Sequence, residues 1–360
     1  MIILGDIASP DAASSAELKN VFLQHAATFN NQAVVCNFEG LICDDIVSNT
    51  TTPVLYNHSS VMDVFKYANV KAVGLANNHT LDLPEYFGNT INSFSEQKIA
   101  YTGAGNSTKN AAKPAIFFDG DTEIVLFNFC WDFLLYHQKN PTSNVFVAEI
   151  NMPQLLQDIG ILKGAKPAAK IIVYLHWSFD LEILPFPMFR QMAKAMIDAG
   201  ANAVIGTHSH CVQGGEKYKD GYIVYSLGNF FLPHNAFANG KLTFPDFSRL
   251  QMAWEWDPVS NQSVCHWFQY KNDDGRNWLE MLESSPFESS PLLKKHSPYA
   301  KADDKTYLAY FRLNRRKKFL VPVYQNYHDV YKNRFYTGLL KSRGRLARFL
   351  AKHNFRKWQS

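Results

Sequence analysis

Two histidines that follow an apolar segment near the middle of the chain constrain the fold more than any other feature. The strand signal at 203–206 runs into a turn that carries His208 and His210. Side chains at positions i and i+2 share one face of an extended chain, so both imidazoles can point at one ion. Gly206 is expected to let the backbone bend just before them.

Two further strand signals also end in histidine. The apolar run at 170–175 is followed by His176, and the run at 71–75 leads to His79. Carboxyl ends of strands in an open α/β sheet assemble sites from separated segments of the chain. Four histidines in such positions are hard to explain by packing, so the sequence predicts one shared site.

Two carboxylates occupy the same kind of position. Asp6 lies at the end of the strand signal at 2–6, and Glu39 follows the one at 33–38. Alone, each is typical of a turn or a cap. Together with imidazoles and an asparagine carbonyl, they form an O/N environment suited to Mn²⁺, Zn²⁺, Fe²⁺ or Mg²⁺. A thiolate site is not expected, because the five cysteines are scattered without a C-x-x-C pair.

Composition indicates a soluble globular protein of the cytoplasm. Hydrophobic residues make up 46% of the chain and aromatic residues 14%, and no apolar run is long enough to span a bilayer. A strand signal starts almost at once, so no secretion signal is expected. The odd, scattered cysteines suit a reducing compartment.

Charge is distributed unevenly along the chain. Residues 312–360 hold 14 basic side chains and one acid, a net charge of +13, whereas residues 1–311 hold 22 basic and 31 acidic side chains, a net charge of −9. If 335–350 is helical, apolar side chains share one face with cations around it. This face suits either an anionic membrane or polyanion, or docking on the acidic body. Nucleic acid is not expected as a partner, since no binding module accompanies the charge.

The apolar residues of that face are Phe335, Leu339, Leu346, Phe349 and Leu350.

Strand and helix signals alternate over the first 230 residues, which favours α/β layers with a substantial sheet. Strand signals fall at 2–6, 33–38, 71–76, 115–118, 123–130, 170–176, 203–206 and 222–227. Helix signals fall at 14–29, 59–68, 85–97, 151–162 and 187–199. A closing hairpin is predicted over 250–256 and 264–270. We therefore divide the chain into a main domain at 1–270, a linker or loop at 271–300, and a basic, aromatic, mostly helical extension at 301–360.

Seven segments resemble the CapA family of bacterial capsule or poly-γ-glutamate biosynthesis proteins, which is built on the calcineurin-like metallophosphatase fold. These segments are Gly5-Asp6, Asn37-Phe38-Glu39-Gly40, Ala76 to Asp82, Thr102 to Asn106, His176-Trp177, Gly206 to His210 and Tyr225 to Phe230. The resemblance covers roughly residues 1–232. It implies a four-layer α/β/β/α sandwich with the metal centre at the carboxyl ends of the central strands.

Carried over by position, the resemblance also implies roles for individual residues. Asp6, Glu39 and His210 would surround one metal, and Asn78, His176 and His208 a second, with Glu39 as the candidate bridge. His79 would face the leaving group, and Asn77 and Asn229 would lie on the substrate side. The phosphoesterases open with Asp-x-His, whereas Ile7 and Ala8 follow Asp6 here. One or two ions (Mn²⁺, Zn²⁺ or Fe²⁺) are therefore expected.

For several residues the sequence allows two interpretations. Asp82 could accept a hydrogen bond from His79 as part of the catalytic pair, or cap the helix that follows it. Asn229 could orient loops or touch substrate, or belong to a turn at Gly228. The acids Asp180 and Glu182 could line the pocket, although a solvated loop acid is the expected interpretation.

The resemblance implies a metal-dependent hydrolase in capsular polysaccharide or poly-γ-glutamate biosynthesis. One alternative keeps the metal for acyl, amide or proton-transfer chemistry. Another is a non-catalytic subunit of a polymer synthase or export complex. Expected partners are an anionic surface polymer or its precursor, with peripheral contact to a membrane or synthase complex through the basic C-terminus. We expect a cytoplasmic protein, with the inner face of the membrane as a second location.

Overall fold

Nineteen strands and ten α-helices build the part of the chain that the computed structural model describes. The described residues are 1–45, 54–137, 143–234, 236–238, 244–273, 275–317 and 321–352. The first ten strands are β1 (Ile2–Ile7), β2 (Val34–Phe38), β3 (Leu41–Ile42), β4 (Val54–Asn57), β5 (Val70–Gly74), β6 (Ala100–Thr102), β7 (Ala104–Gly105), β8 (Ala115–Asp119), β9 (Thr122–Cys130) and β10 (Phe146–Val147). The other nine are β11 (Lys170–His176), β12 (Ala203–Thr207), β13 (Val212–Tyr218), β14 (Gly221–Leu227), β15 (Asn229–Phe231), β16 (Phe237–Ala238), β17 (Leu250–Asp257), β18 (Gln262–Asp273) and β19 (Arg276–Pro286).

The helices connect these strands or follow them. They are α1 (Ala12–Gln24), α2 (Ala26–Phe29), α3 (Val61–Tyr67), α4 (Phe87–Glu96), α5 (Thr108–Ala111), α6 (Met152–Ala165), α7 (Pro187–Asp198), α8 (Pro291–His296), α9 (Asp304–Asn314) and α10 (Val330–Lys352). Short 3₁₀ helices occur at Pro84–Tyr86, Leu134–His137 and Asp246–Ser248. No helix among the described residues has both the length and the apolar content needed to cross a bilayer.

Two mixed sheets form the centre of the fold. The first has the order β19-β18-β17-β1-β2-β5-β6, and β15 pairs with β1. The second has the order β13-β14-β12-β11-β9-β8. In both sheets the central strands are parallel. Antiparallel pairs occur on the β17-β18-β19 side of the first sheet, whose other outer strand β6 is parallel, and at both edges of the second. The predicted strands of the first 230 residues are all present, and so is the predicted hairpin, in which β17 pairs with β18.

Alternating side chains of each strand divide the core into three layers. Ile3 of β1 and Ile172 of β11 belong to the apolar cluster that also takes in Trp254 and Trp267. Ile2 and its neighbours on the other face of the first sheet pack with α1, α3 and α4. The other face of β11 packs with α6 and α7. Since strand side chains alternate between faces, this is the predicted four-layer α/β/β/α sandwich.

Residues 271–300 differ from the predicted linker or loop. Strand β19 pairs with β18 from Arg276 to Pro286, and helix α8 follows, capped by Ser290, whose hydroxyl accepts from the Leu293 amide. Strand β19 lies at the edge of the sheet, and much of it is exposed. Polar side chains on its exposed face and serines at its end conceal the alternation on which strand prediction depends. The loop interpretation is wrong for this segment.

The basic extension contains α9 and α10, as predicted, and its inner side packs on the body. Phe311, Tyr324 and Leu340 join the apolar cluster formed with α6 and α7. Docking on the body is therefore observed, whereas the division into domains stays a prediction. The side chains of Phe349 and Leu350, and the predicted helical residues 353–358, lie outside what the structure describes.

Candidate metal centre

The strands of both sheets deliver polar side chains to one edge of the sandwich. Asp6 of β1 lies opposite Asn37 of β2 and Asn229 of β15. In the second sheet, His176 at the end of β11 lies opposite Thr207 at the end of β12. The sheets meet just below this edge, where the Tyr174 hydroxyl donates to the Leu4 carbonyl. The predicted convergence of separate strand ends is present.

The first group of candidate ligands comprises Asp6, Glu39 and His176, which offer donor atoms that all lie within 4.8 Å of one another. Glu39 Oε1 lies 3.6 Å from His176 Nε2. The Asn37 amide donates to Asp6 Oδ1 at 2.7 Å and to Glu39 Oε1 at 3.4 Å. Asn37 therefore positions both carboxylates. All four side chains are buried.

The second group comprises Asp180, His208 and His210. Asp180 Oδ1 lies 3.3 Å from His208 Nε2 and 3.8 Å from His210 Nε2. The two groups adjoin each other. The His208 amide donates to Asp6 Oδ2 at 3.2 Å, and His210 Nδ1 lies 3.7 Å from that oxygen.

The closest groups of His, Asp and Glu donor atoms cut across the two ligand sets implied by the family resemblance. His176, expected beside His208 and Asn78, has its donor atom close to Asp6 and Glu39, whereas His210 falls with His208. The ring centres of His176 and His208 are only 4.6 Å apart. Asn78 Oδ1 is nevertheless 2.7 Å from His176 Nε2. All six predicted ligands thus surround one region, and their metal-binding roles stay a prediction.

The backbone around the histidines is strained, and the glycine is not where the bend occurs. His208 and His210 themselves have φ values of 84° and 55°, in the left-handed region that costs non-glycine residues energy and is often found at functional sites. Gly206 instead lies within β12, where a Cβ would be 2.0 Å from the Tyr225 carbonyl oxygen. The predicted hinge role of Gly206 is wrong, because a close approach of backbones requires this glycine.

His79 and Asp82 form a hydrogen-bonded pair beside the ligand groups. His79 Nδ1 lies 2.8 Å from Asp82 Oδ2, which also accepts from the Leu55 amide at 2.9 Å. The 3₁₀ helix that follows starts after Leu83 and has no side-chain cap. Of the two interpretations of Asp82, the hydrogen bond to His79 is the one present in the structure.

Asn78 connects this pair to the candidate metal ligands. Its Nδ2 lies 3.0 Å from His79 Nε2, and its Oδ1 accepts from His176 Nε2. With these partners, His79 carries its proton on Nδ1 and points the lone pair of Nε2 at the amide of Asn78. We assign this tautomer from the hydrogen-bond pattern.

Asn77 and Asn229 hold the site together and are buried. Asn77 donates to the Phe38 carbonyl and accepts from the His79 amide at 3.1 Å. Asn229 Oδ1 lies 2.7 Å from His210 Nδ1 and so fixes that ring. The geometry gives both residues a positioning role, and the substrate contact that the resemblance implied stays a prediction.

Sequence reasoning undervalued Asp180, which we expected to be a solvated loop acid. Its side chain is 65% exposed, yet its carboxylate faces two imidazoles. Ser178 and Leu181, which flank it, have φ values of 78° and 58°, so two left-handed residues turn the loop back over the site. A recognisable signal was the position of Asp180, only four residues beyond His176 at a strand end.

Glu182, the other acid of this loop, does not line the pocket. It is buried and accepts from the backbone amides of Arg316 and Lys317, each at 3.1 Å. The Arg316 guanidinium also lies 3.8 Å from the centre of the Phe247 ring. The basic extension is therefore anchored two residues from Asp180. Partial desolvation would raise the pKa of Asp180, but nearby imidazoles and the Lys317 ammonium hold that pKa below its usual value.

The electrostatics of the centre favour a bound cation. Burial raises the pKa of Asp6, and burial together with neighbouring carboxylates raises the pKa of Glu39 well above its ordinary value. Burial lowers the pKa of His176 well below the usual range, and that of His208 to about 4 even though Asp180 opposes the shift. The imidazoles of His176 and His208 are therefore neutral near pH 7 and have lone pairs to offer.

Two buried polar atoms support the same conclusion. Glu39 Oε2 and His208 Nδ1 have no hydrogen-bond partner among the described residues, and such atoms are costly to bury without one. Crowded carboxylates, neutral imidazoles and unsatisfied donor atoms match the preferences of a first-row divalent ion. The residues present therefore fit such an ion.

The known family that this chain matches covers the region that builds the candidate centre. The model of the bacterial capsule synthesis protein family PGA_cap matches residues 2–233. The capsule biosynthesis protein CapA of Bacillus anthracis is 32% identical over 171 residues, 46% of this chain and 41% of that protein. The PGA biosynthesis protein CapA of Bacillus subtilis is 31% identical over 185 residues, 49% of this chain and 46% of that protein. The aligned region thus spans less than half the length of these relatives.

A phosphatase structure from Mycoplasma pneumoniae also resembles this chain. It has a TM-score of 0.42 and 13% identity, covering 79% of this chain and 91% of that one.

Proposed function

Because this chain belongs to the bacterial capsule synthesis protein family PGA_cap, we propose that it is a metal-dependent hydrolase acting on an anionic phosphoester in surface-polymer biosynthesis. The polymer is a capsular polysaccharide or poly-γ-glutamate, or a precursor of either. The observation that carries the proposal is the convergence of buried, uncompensated carboxylates and neutral imidazoles beside the His79–Asp82 pair.

Six side chains of this chain would hold the metal, with Asp180 as a further candidate. They are Asp6, Glu39, Asn78, His176, His208 and His210. A divalent ion bound there would supply Lewis-acid chemistry, which polarises a phosphoryl oxygen and makes water more acidic. The identity of the ion, Mn²⁺, Zn²⁺ or Fe²⁺, is part of the proposal.

His79 is proposed to move the proton of the leaving group. Asp82 accepts from Nδ1 at 2.8 Å and so fixes both the ring and its tautomer. Nε2, next to the amide of Asn78, is the atom that gives or takes the proton. Asn78 contacts both His79 and His176, so a change at the ligand group is transmitted directly to the position of the proton-transferring ring.

The basic extension is proposed to favour anionic substrates. Arg316 and Lys317 are held beside the loop of Asp180 by the Glu182 carboxylate, and neither side chain has an acidic partner within 4.0 Å among the described residues. Cations at the rim of a site increase the local concentration of an anionic ligand and its association rate.

The experiment uses the full chain reconstituted with Mn²⁺ or Zn²⁺ and a panel of aryl phosphate monoesters and diesters. We expect metal-dependent turnover, and His79→Ala should lower kcat by about 10²–10⁴-fold while metal content stays the same. His328→Ala, at an exposed histidine far along the chain, is the matched control and should match the unmodified protein.

Three outcomes would contradict the proposal. Turnover of amide or acyl substrates alone would favour the alternative chemistry at the same metal. Absence of turnover on phosphoester, amide and nucleotide panels, together with retention by a membrane synthase, would favour a non-catalytic subunit. Equal metal loss in His79→Ala and His208→Ala would make His79 an ordinary ligand or structural residue.

A further inference from the structure

Helix α10 has an apolar face that the fold leaves exposed. Tyr331, Phe335 and Leu346 are 88%, 68% and 57% exposed, and Leu339 is exposed between them. Successive residues of an α-helix are rotated by about 100°. These four side chains therefore fall within about 80° of one another and form a single stripe, which we call the outer stripe.

The opposite side of α10 is occupied by the body of the protein. Leu340 is only 8% exposed, and Tyr336 packs against Tyr324. The Tyr324 and Thr337 hydroxyls are 3.1 Å apart, and Lys341 Nζ lies 3.9 Å from Asp132 Oδ2. Helix α10 is thus fixed on the sandwich with its outer stripe directed away from it. The inner face of α10 is therefore docked on the body while its outer stripe stays exposed.

Cations border the outer stripe on both sides. From the same rotation of about 100° per residue, Lys332 and Arg343 fall along one edge, and Arg334 and Arg345 along the other. All four side chains are exposed. Helix α10 itself contributes no acidic side chain to these edges, since Val330–Lys352 has none. An apolar stripe with basic borders is complementary to a surface that is apolar within and negatively charged at its boundary.

We propose that the outer stripe of α10 binds the surface of an anionic lipid bilayer, with the helix lying in the plane of the interface. Apolar side chains enter the boundary between head groups and acyl chains, while the flanking cations bind acidic head groups. Because α10 stays docked through Leu340 and Tyr336, binding presents the whole sandwich at a fixed orientation to the bilayer. This inference does not depend on the proposed hydrolase activity.

The test is cosedimentation of the full chain with vesicles of phosphatidylglycerol and phosphatidylcholine, compared with vesicles of phosphatidylcholine alone. We expect binding to the anionic vesicles that weakens as salt is raised. Lys332→Gln with Arg345→Gln should weaken binding by roughly 30-fold, the effect of two cations near such a surface. The charge-matched control is Lys98→Gln with Lys109→Gln, two exposed lysines elsewhere, which should bind nearly as tightly as the unmodified protein.

A second pair of variants separates the apolar stripe from simple charge attraction. Phe335→Ser with Leu339→Ser should weaken binding at least tenfold, because the side chains that enter the bilayer are lost. Phe118→Ser changes another exposed phenylalanine, on β8, and should have no effect. Both changes are at exposed positions, so circular dichroism should be unaltered.

The proposal would be overturned if the full chain ignored anionic vesicles at low salt. It would also fail if Phe335→Ser with Leu339→Ser bound as tightly as the unmodified protein, since charge alone would then account for binding. A dimer whose formation is abolished by that double substitution would identify a second copy of the chain as the occupant of the stripe and exclude the lipid surface.

Discussion

Glu39 and Glu216 are both buried carboxylates, but the chain compensates the charge of only one of them. Glu216 on β13 receives Arg190 Nε at 2.7 Å and Nη2 at 3.0 Å in a bidentate pair. The Tyr225 hydroxyl donates to the same carboxylate at 2.6 Å. The guanidinium of Arg190 also lies 5.0 Å from the centre of the Tyr307 ring. Anion, cation and hydrogen bonds are all supplied from within the fold.

Glu39 has the opposite surroundings. Its Oε1 accepts only a long hydrogen bond from Asn37 among the described side chains, and its Oε2 has no partner there. The imidazole beside it, His176, is neutral near pH 7 because burial lowers its pKa. A buried charge without a partner is costly. The Arg190–Glu216 pair therefore balances its own charge within the fold, although Arg190 Nη1 has no hydrogen-bond partner among the described residues. The centre around Glu39 lacks such a cation, and the proposed metal ion would supply one.

Removal of the Glu216 charge should produce the largest change in stability. Glu216→Gln leaves the Arg190 guanidinium buried without its counter-ion, and we expect a loss of about 3 kcal/mol in the free energy of unfolding. Urea denaturation measures the change. Glu288→Gln is the control, because its exposed pair with Lys217 should contribute less than about 1 kcal/mol. Equal effects of the two substitutions would mean that the buried Arg190–Glu216 pair contributes no more than an exposed ion pair.

The corresponding change at the candidate metal centre should have the opposite sign. In metal-free protein, Glu39→Gln removes an uncompensated buried charge, so we expect a gain of about 1–2 kcal/mol in the free energy of unfolding. The pKa of Glu39 in the folded state is raised above its ordinary 4.5. The unmodified protein should therefore lose stability relative to the variant as the pH rises from about 4.5 through the folded-state pKa of Glu39.

Denaturation of both metal-free proteins between pH 4.5 and 8 checks this prediction. A destabilised Glu39→Gln variant, or a difference that shrinks as the pH rises, would mean that the fold compensates this carboxylate after all.

The smallest expected effect concerns the cations that the extension places near the site. Arg316→Gln with Lys317→Gln should raise KM for an anionic substrate by about 3–10-fold, because exposed charges act mainly on encounter. Metal content and kcat should stay the same, and the increase in KM should fade at high salt. Lys109→Gln provides the control. An unchanged KM would show that these two cations of the extension do not contribute to substrate binding.

The layers of the fold and the residues of the site were largely predictable, for a simple physical reason. Strands such as Lys170–His176 are apolar between their first residue and the histidine at which they end, so both the element and the direction of its last side chain follow from the sequence. The same holds for Asp6 and for the turn after β12. The resemblance to a known family added the expectation that these strand ends belong to one sandwich.

What escaped prediction depends on contacts between distant segments. The position of Asp180 results from left-handed residues in its loop, and Glu182 is explained only by amides more than 130 residues away. The function of Gly206 follows from the carbonyl of Tyr225 on the neighbouring strand. Strand β19 is mostly polar because half of it faces solvent. The contacts of Glu182 and Gly206 leave no local pattern, whereas Asp180 left one signal, its position four residues beyond His176.

The most direct test is to titrate the metal-free full chain with Mn²⁺ and to measure its melting temperature at each concentration. We predict a saturable rise, corresponding to about 2.7 kcal/mol when the ion is at 100 times its Kd. His208→Ala and Glu39→Gln should abolish most of the rise, whereas Glu216→Gln should melt lower but keep it. If Mn²⁺, Zn²⁺ and Fe²⁺ all leave the melting temperature of the unmodified chain unchanged, the buried carboxylates around Glu39 do not form a metal centre.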